Sequence, residues 1–584
     1  MPVDRDVLVL DVMKKTEDHA VKYAFSPKGS KVFEALLTWG SDPEVGKFME
    51  KMEETVFDAL SNPFASQVLK TLIEIAAERN KKFFDIKTGS CENTTRTKIT
   101  DVDVNQNWNP AVSLQTQICE EVGVVTQEES IDNKDKEQIK NNINRERTTK
   151  YSIGNNGGND DADNRFSFSE WIVRVSKVVL DDVDLVWNLY ANNVMRTVLE
   201  CLTMLPRGSM RYFNKRPLID DSLRIPEEHT DLIHCFTQKL LLWQQLTDLV
   251  YNDLTSRLLQ ALLLALKTVD NESADDLVRQ LFNECFILKE TDLKKKCLPA
   301  RLCEDEVTLL PVFRNEFSAS VLQASISVAS PELVARIHAG CFTGHLELLS
   351  RSRIAGPCLQ TLLQYCRGKD DFETIYNEIC EELEGVILSK NTAVIVSLAQ
   401  TCLRFETNQG WALHCDFPPG NHRRFIAHVL MLRILGENTR EKDFTIHPHG
   451  IALLEAMLRF EFPNKVISGM LKLKHHELCQ LLSHHPDATI IRTFVENPNI
   501  PTNSMTKLFN TLVGRFASLA SSEYGSRSLE VMWKAVEARR KVQIMDELTE
   551  QRETLKNIPC GKFILKKFAR DYYSAKRELS EQVN

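Results

Sequence analysis

The sequence predicts an all-α fold, a solenoid of stacked helical units. Three observations carry that expectation. Apolar residues recur at helical spacing nearly everywhere outside one polar stretch. A short pattern returns along the chain at separations clustered between 36 and 38 residues. No stretch alternates apolar and polar residues as a half-buried strand would, and no βαβ rhythm is present.

Composition agrees with helices joined by short connections. Of the 584 residues 43% are hydrophobic and 26% charged, with only 20 Pro and 22 Gly. The formal net charge of -9 counts mildly against nucleic acid, but binding depends on where charges sit. Residues 85–165 hold 15 Asp/Glu and 10 Lys/Arg, so much of the acidity lies there. That segment is rich in Asn, Asp, Lys and Glu and poor in apolar residues. It cannot bury enough surface to offset its ordering entropy and reads as a largely disordered insertion. A short helix near Val112 to Glu121 is allowed within it. The expected organisation is then repeats in 1–84, the insertion in 85–165, central repeats in 166–400 and C-terminal repeats in 401–584.

The N-terminus MPVDRDVLVLDVMKK has early acids and a short apolar run, unlike a signal peptide. The densest apolar stretch, Leu258 to Leu266, is too short to span a bilayer. A soluble intracellular protein is expected, without a membrane. The 15 cysteines contain no CxxC, and most sit in apolar helical stretches. They read as small buried hydrophobes in a reducing compartment.

The repeated segment begins with a small or polar residue, then two variable residues, two apolar residues, a polar residue and further apolar residues. It reads GSKVFEALL at Gly29, ASQVLKTLI at Ala65, ANNVMRTVL at Ala191 and TSRLLQALL at Thr255. Further copies start at Ser318, Ala355, Asn391, Gly450, Asp487, Gly525 and Gly561. Their second residues are separated by 36, 126, 64, 63, 37, 36, 59, 37, 38 and 36 positions. The 126 gap holds the polar segment. The 64, 63 and 59 gaps need loop insertions or a missed unit, and MLPRGSMRYFNKRPLIDD and KETDLKKKCLPARLCEDE fit as inserted loops. About eleven units result, none able to bury its apolar face alone.

In the copy at Gly29, Val32, Phe33, Leu36 and Leu37 form one apolar face. Ser30 and Glu34, four apart, share another face with Lys31 beside them. Each helix is therefore expected to offer three residues to solvent, and stacking lines these triplets along one surface. The corresponding residues are Ser66, Gln67 and Lys70; Asn192, Asn193 and Arg196; Ser256, Arg257 and Gln260; and Ser526, Arg527 and Glu530. The last copy contributes Lys562 and Lys566. Gly356 with Pro357, Thr392 with Ala393 and Val396, and Ile451 with Ala452 depart from the polar triplet. Lys70, Arg196, Arg492, Lys562 and Lys566 give their copies basic ends.

This geometry resembles the Pumilio (PUF) repeat, in which two side chains of each triplet bond a base edge and the middle one stacks between bases. DLTSRLLQ and YGSRSLE are the best matches. By that resemblance Ser256, Arg257 and Gln260 form an adenine-reading triplet, and Ser526, Arg527 and Glu530 a guanine-reading one. The excess of repeats, the early insertion and the C-terminal run EYGSRSLEVMWKA, a helix of Glu547 to Lys556, then CGKFILKKFARDYY resemble the nucleolar protein 9 family of Pumilio-repeat proteins. The resemblance implies a U- or C-shaped monomeric α-solenoid of the nucleus and nucleolus. It further implies binding of single-stranded precursor ribosomal RNA on the concave face within the pre-ribosomal small-subunit particle, shielding a processing site. The chain has no long basic tail, and KKK at Lys294 to Lys296 is too short to be a nuclear address.

Other chemistries find no support. The cluster HHELCQLLSHHPD from His475 matches no zinc spacing and reads as helix-end and loop histidines, with His485 in a turn before Pro486. The carboxylates of Glu373 to Glu384 read as a solvated helix face. No Gly-rich phosphate loop, GxSxG or Ser/His/Asp constellation is present, so neither catalysis nor a cofactor is expected. A HEAT or armadillo scaffold is the alternative fold reading, and an mRNA-regulating Pumilio protein the alternative function.

Overall fold

Each copy of the repeated segment lies on a helix, and the reason begins three residues before it. Ser26, Asn62, Asn188, Asn252, Asn315, Ser352 and Ser522 all occupy that position. Each side chain accepts from the N–H groups left unpaired at a helix start. Asn62 Oδ1 accepts from Phe64 N and Ala65 N at 2.9 and 3.0 Å, and Asn188 Oδ1 from Tyr190 N and Ala191 N at 2.9 and 3.1 Å. Ser522 Oγ accepts from Gly525 N at 3.3 Å.

The computed structural model describes residues 5–87, 166–204, 225–243, 246–288, 309–410, 422–432, 444–484 and 487–583. The two inserted loops, the short helix near Val112, His485 and all but the first three residues of 85–165 lie outside them. Every regular element among the described residues is helical. The helices carrying the repeated segment are α1 (Pro27–Trp39), α2 (Ala65–Lys87), α3 (Leu189–Leu202), α4 (Asp253–Val269), α5 (Glu316–Val328) and α6 (Gly356–Tyr365). They continue as α7 (Ala393–Phe405), α8 (Pro448–Leu458), α9 (Thr489–Glu496), α10 (Glu523–Ala535) and α11 (Pro559–Val583). Short helices such as Val56–Leu60 and Leu246–Val250, and longer ones such as Asp42–Glu53 and Glu227–Leu241, precede them. The expected helix of Glu547 to Lys556 is instead the end of Ala538–Glu550 and the whole of Arg552–Lys556.

The small first residue of the segment answers to a carbonyl six residues earlier. A Cβ on Gly29 would stand 2.2 Å from the Tyr23 oxygen, and one on Gly525 would stand 2.6 Å from the Leu519 oxygen. Where the position holds a hydroxyl, it donates to that same carbonyl: Thr255 Oγ1 to Leu249 O at 2.7 Å and Ser318 Oγ to Val312 O at 2.9 Å. In these four copies the contact pins the carrying helix to the short element before it.

The described chain forms two compact units, one of residues 5–87 with 166–182 and one from Val183 onward. The boundaries expected after 84 and 400 fall inside α2 and α7. In the first unit α1 packs on α2, and α2 on the helix Phe168–Val179. Trp171 on that helix is fully buried, and its Nε1 donates to Met49 O at 3.1 Å. In the second unit each carrying helix packs on the next, from α3 through α11. The apolar residues of Leu258 to Leu266 are buried because α4 has α3 on one side and α5 on the other, while Gln260 stays half-buried. No helix among the described residues is long and apolar enough to cross a membrane. Burial pushes the thiols of Cys285 and Cys341 up to about 12, the behaviour of inert packing residues.

His449 gives the core a pH dependence. Its Nδ1 lies 2.8 Å from Thr392 Oγ1, between α7 and α8, while burial and then the neighbouring His447 lower its pKa to about 4. The folded protein resists a proton that the unfolded chain accepts near 6.5. Stability from this group is full above that value, falls as pH drops from 6.5 to about 4, and levels below it, a loss of up to about 3 kcal/mol. Denaturant melts across this window should show the slope, and His449→Gln should flatten it; an unchanged slope in the variant would assign it to other groups.

Candidate nucleic-acid interface

Because consecutive carrying helices pack directly on each other, the residues two, three and six places into each segment recur on neighbouring elements. The structure corrects the expectation that all three face solvent. Second residues are buried: Ser30 at 3%, Ser66 at 5%, Asn192 at 0%, Ser256 at 1% and Ser526 at 6% exposure. Their side chains turn to local carbonyls. Ser256 Oγ donates to Asp253 O at 3.1 Å, Ser526 Oγ to Glu523 O at 2.7 Å, and Asn192 Nδ2 to Val186 O at 2.9 Å. Small hydroxyls bond backward onto a helix more readily than they reach outward. Lys562 is the exception and is exposed.

The middle residues are the outward ones. Lys31, Gln67, Arg257 and Arg527 are exposed, and Asn193 is half-buried beside Arg196, whose guanidinium donates to it. Sixth residues Glu34, Lys70, Arg196, Gln260 and Glu530 are partly exposed, and Lys566 is exposed. Burial raises the pKa of Glu34, while Lys31 and then Lys70 on the next helix pull it down. That coupling sets the sixth positions of α1 and α2 within electrostatic reach.

The arginines are held as plates. Arg257 pairs with Asp253 one turn back at 2.8 Å. Arg527 lies 3.8 Å from Glu523 and 5.8 Å from the Tyr524 ring centre. Such exposed pairs add little stability, ~0.3–0.5 kcal/mol each. Phe563, which the sequence reading passed over for its lysine neighbours, is the middle residue of the last copy. It is 53% exposed, with Lys567 Nζ 5.1 Å from its ring centre. Aligning that copy column by column would have found it. Lys567 also reaches back to Glu530 at 2.5 Å, and Trp533 stacks on Phe568 at 4.0 Å, so α10 and α11 form a rigid pair.

Between these ends several copies are covered, while Arg492 stays half-buried. Ile451, Ala452, Thr392 and Val396 are buried at 1%, 4%, 6% and 3% exposure. Gly356 is covered by Asn391, which donates to Ser350 O and Ser352 O at 2.6 and 3.1 Å. Gln323 spends its amide on Thr361 of the next helix at 3.1 Å. Among the described residues no His, Cys, Asp and Glu group is spaced to hold a metal. His475 and His476 open the helix His475–Leu482.

Comparison with known proteins agrees with this architecture. A family model described as the NOP9-like PUF repeat domain matches residues 210–563. Nucleolar protein 9 of Mus musculus is 24% identical over 304 residues, which cover 48% of this chain and 48% of that protein. Nucleolar protein 9 of Homo sapiens is 23% identical over the same length. The match thus spans about half the length of these curated relatives. Nucleolar protein 9 of Pyrenophora tritici-repentis is 21% identical across 99% of this chain and 76% of its own. The solved APUM23-GGAUUUGACGG structure superposes with a TM-score of 0.68 at 14% identity, covering 98% of this chain and 94% of the other, and shares the Pumilio-repeat solenoid fold.

Proposed function

We propose, from the premise that this chain belongs to the NOP9-like PUF repeat family, that it is a non-enzymatic RNA-binding factor of ribosome assembly. It acts in the nucleolus, holds single-stranded precursor ribosomal RNA within the small-subunit particle and covers a processing site. The observation that carries RNA binding is the set of exposed middle residues on stacked helices, Arg257, Arg527 and Phe563, each able to lie flat against a base. Sixth residues Gln260 and Glu530 face the base edges, and Lys70, Arg196, Lys562 and Lys566 take phosphates. With second residues turned inward, each triplet reads a base through one polar side chain, and sequence preference is loose.

The names of the relatives support the nucleolar and ribosomal assignment. The family match favours this reading over a HEAT or armadillo scaffold. The buried Thr392, Val396, Ile451 and Ala452 favour it over an mRNA reader with a full row of triplets.

Binding of the purified protein to a randomised single-stranded RNA pool at two salt concentrations tests the proposal. Each phosphate contact adds ~0.7 to the slope of log affinity against log salt, so three contacts weaken binding roughly 20-fold over a fourfold salt increase. Enrichment of a short, degenerate motif is expected; absence of retention at low salt would refute RNA binding.

A further inference from the structure

One basic groove lies off the row of middle residues, between two short helices of the second unit. It has a volume of about 770 Å³, and its lining includes Lys474, His475, His476, Arg515, Ser518 and Ser522. No acidic side chain lines it. Glu523, next to Ser522, is exposed and stands 3.8 Å from Arg527, and two further acids nearby are engaged by protein groups. Glu477 is 3% exposed, pairs with Arg423 at 2.7 Å and accepts from Lys474 N at 2.8 Å. Glu547 accepts from the backbone N–H groups of Gly514, Phe516 and Ala517 at 2.7, 2.6 and 3.3 Å. Arg515 is exposed and forms no ion pair among the described residues. Lys474 precedes the helix His475–Leu482, whose dipole its positive charge opposes, and His475 Nδ1 lies 2.7 Å from Thr511 O.

The groove is continuous with the interface already described. Ser522 lines it and caps α10, on which Tyr524 and Arg527 follow within the next turn. Ser528 Oγ donates to Leu482 O at 2.6 Å, which holds α10 against the helix forming the groove wall. A strand stacked on Arg527 that runs on toward the start of α10 enters the groove.

We propose that this groove binds the phosphates of the same RNA strand where it leaves the middle-residue row at α10, through Lys474 and Arg515. The inference rests on the RNA reading above. It makes the C-terminal end of the second unit an exit channel, sequence-blind and salt-sensitive, which lengthens the RNA footprint without adding base contacts.

The test compares wild type, Lys474→Ala/Arg515→Ala and Arg257→Ala/Arg527→Ala by fluorescence anisotropy. The probes are single-stranded mixed-sequence RNAs of about 6 and about 20 nucleotides over a salt series, with circular dichroism melts as a fold control. The groove variant should lose roughly 10-fold in affinity for the longer RNA and about 1.4 in its salt slope, the share of two phosphates. Its affinity for the shorter RNA should stay unchanged. The arginine variant should lose both RNAs. Full affinity and slope for the longer RNA in the groove variant would overturn the inference and leave the RNA reading standing. Equal loss of both RNAs would overturn it too, by placing Lys474 and Arg515 within the base-contacting row. If wild type binds neither RNA, the RNA reading itself fails. A polyglutamate peptide bound by wild type and lost in the groove variant would then assign the groove to an acidic protein.

Discussion

Trp171→Ala lowers the stability of the first unit by about 3–5 kcal/mol, the cost of removing a fully buried indole from a packed core. Three contributions add. The ring leaves a cavity between the helix Phe168–Val179 and the helix Asp42–Glu53. The apolar burial of the side chain is lost. The Met49 carbonyl loses the Nε1–H that donates to it at 3.1 Å, which costs about 1 kcal/mol more if no water replaces it. Trp171→Phe separates the parts, since it keeps most of the ring area and loses only the donor; a cost near 1–2 kcal/mol is expected. Hydrogen exchange in Asp42–Glu53 and in α2 is the readout, because a global melt mixes both units. A loss below 1 kcal/mol for the alanine variant would mean that the cavity collapses at no cost.

Combined replacement of Arg257, Arg527 and Phe563 by alanine is the largest change expected in binding. A base stacked on a side-chain plane is worth ~1–3 kcal/mol by alanine substitution. Arg257 on α4 lies several helices from the other two, so its effect adds to theirs. Affinity should fall by at least about 3 kcal/mol, roughly 150-fold in Kd. Stability should barely move, because the ion pairs lost with the arginines are exposed. Replacing the two arginines by lysine keeps the charge and removes the plane. The salt slope should then persist while affinity drops, a split that a purely electrostatic role would not produce. Unchanged affinity in the triple variant would remove the stacking mechanism.

Much of this molecule is legible in its sequence because a repeat multiplies weak signals. A single GSKVFEALL is an unremarkable amphipathic stretch, but its return at 36 to 38 residues identifies stacked units. The helix starts were also readable, since a Ser or Asn recurs three residues before seven of the copies, and the sequence reading did not use it. The same holds for Phe563, hidden by the lysines around it.

The order of residues alone sets the all-α class and the register of the repeated segment. Periodicity, capping and the small first residue are local, and local chemistry leaves its mark in the order of residues. Tertiary structure decided which residues of that segment face outward. Ser30, Ser66, Ser256 and Ser526 look like surface polar residues in the sequence, yet each is buried because a neighbouring helix covers it and a carbonyl takes its hydroxyl. Tertiary structure also gathered Lys474, His475, His476 and Arg515 around one groove from two separate helices and turned Glu477 and Glu547 away from it. Charge along a chain is a sum, whereas charge at a groove depends on which acids are already paired, and only packing sets that.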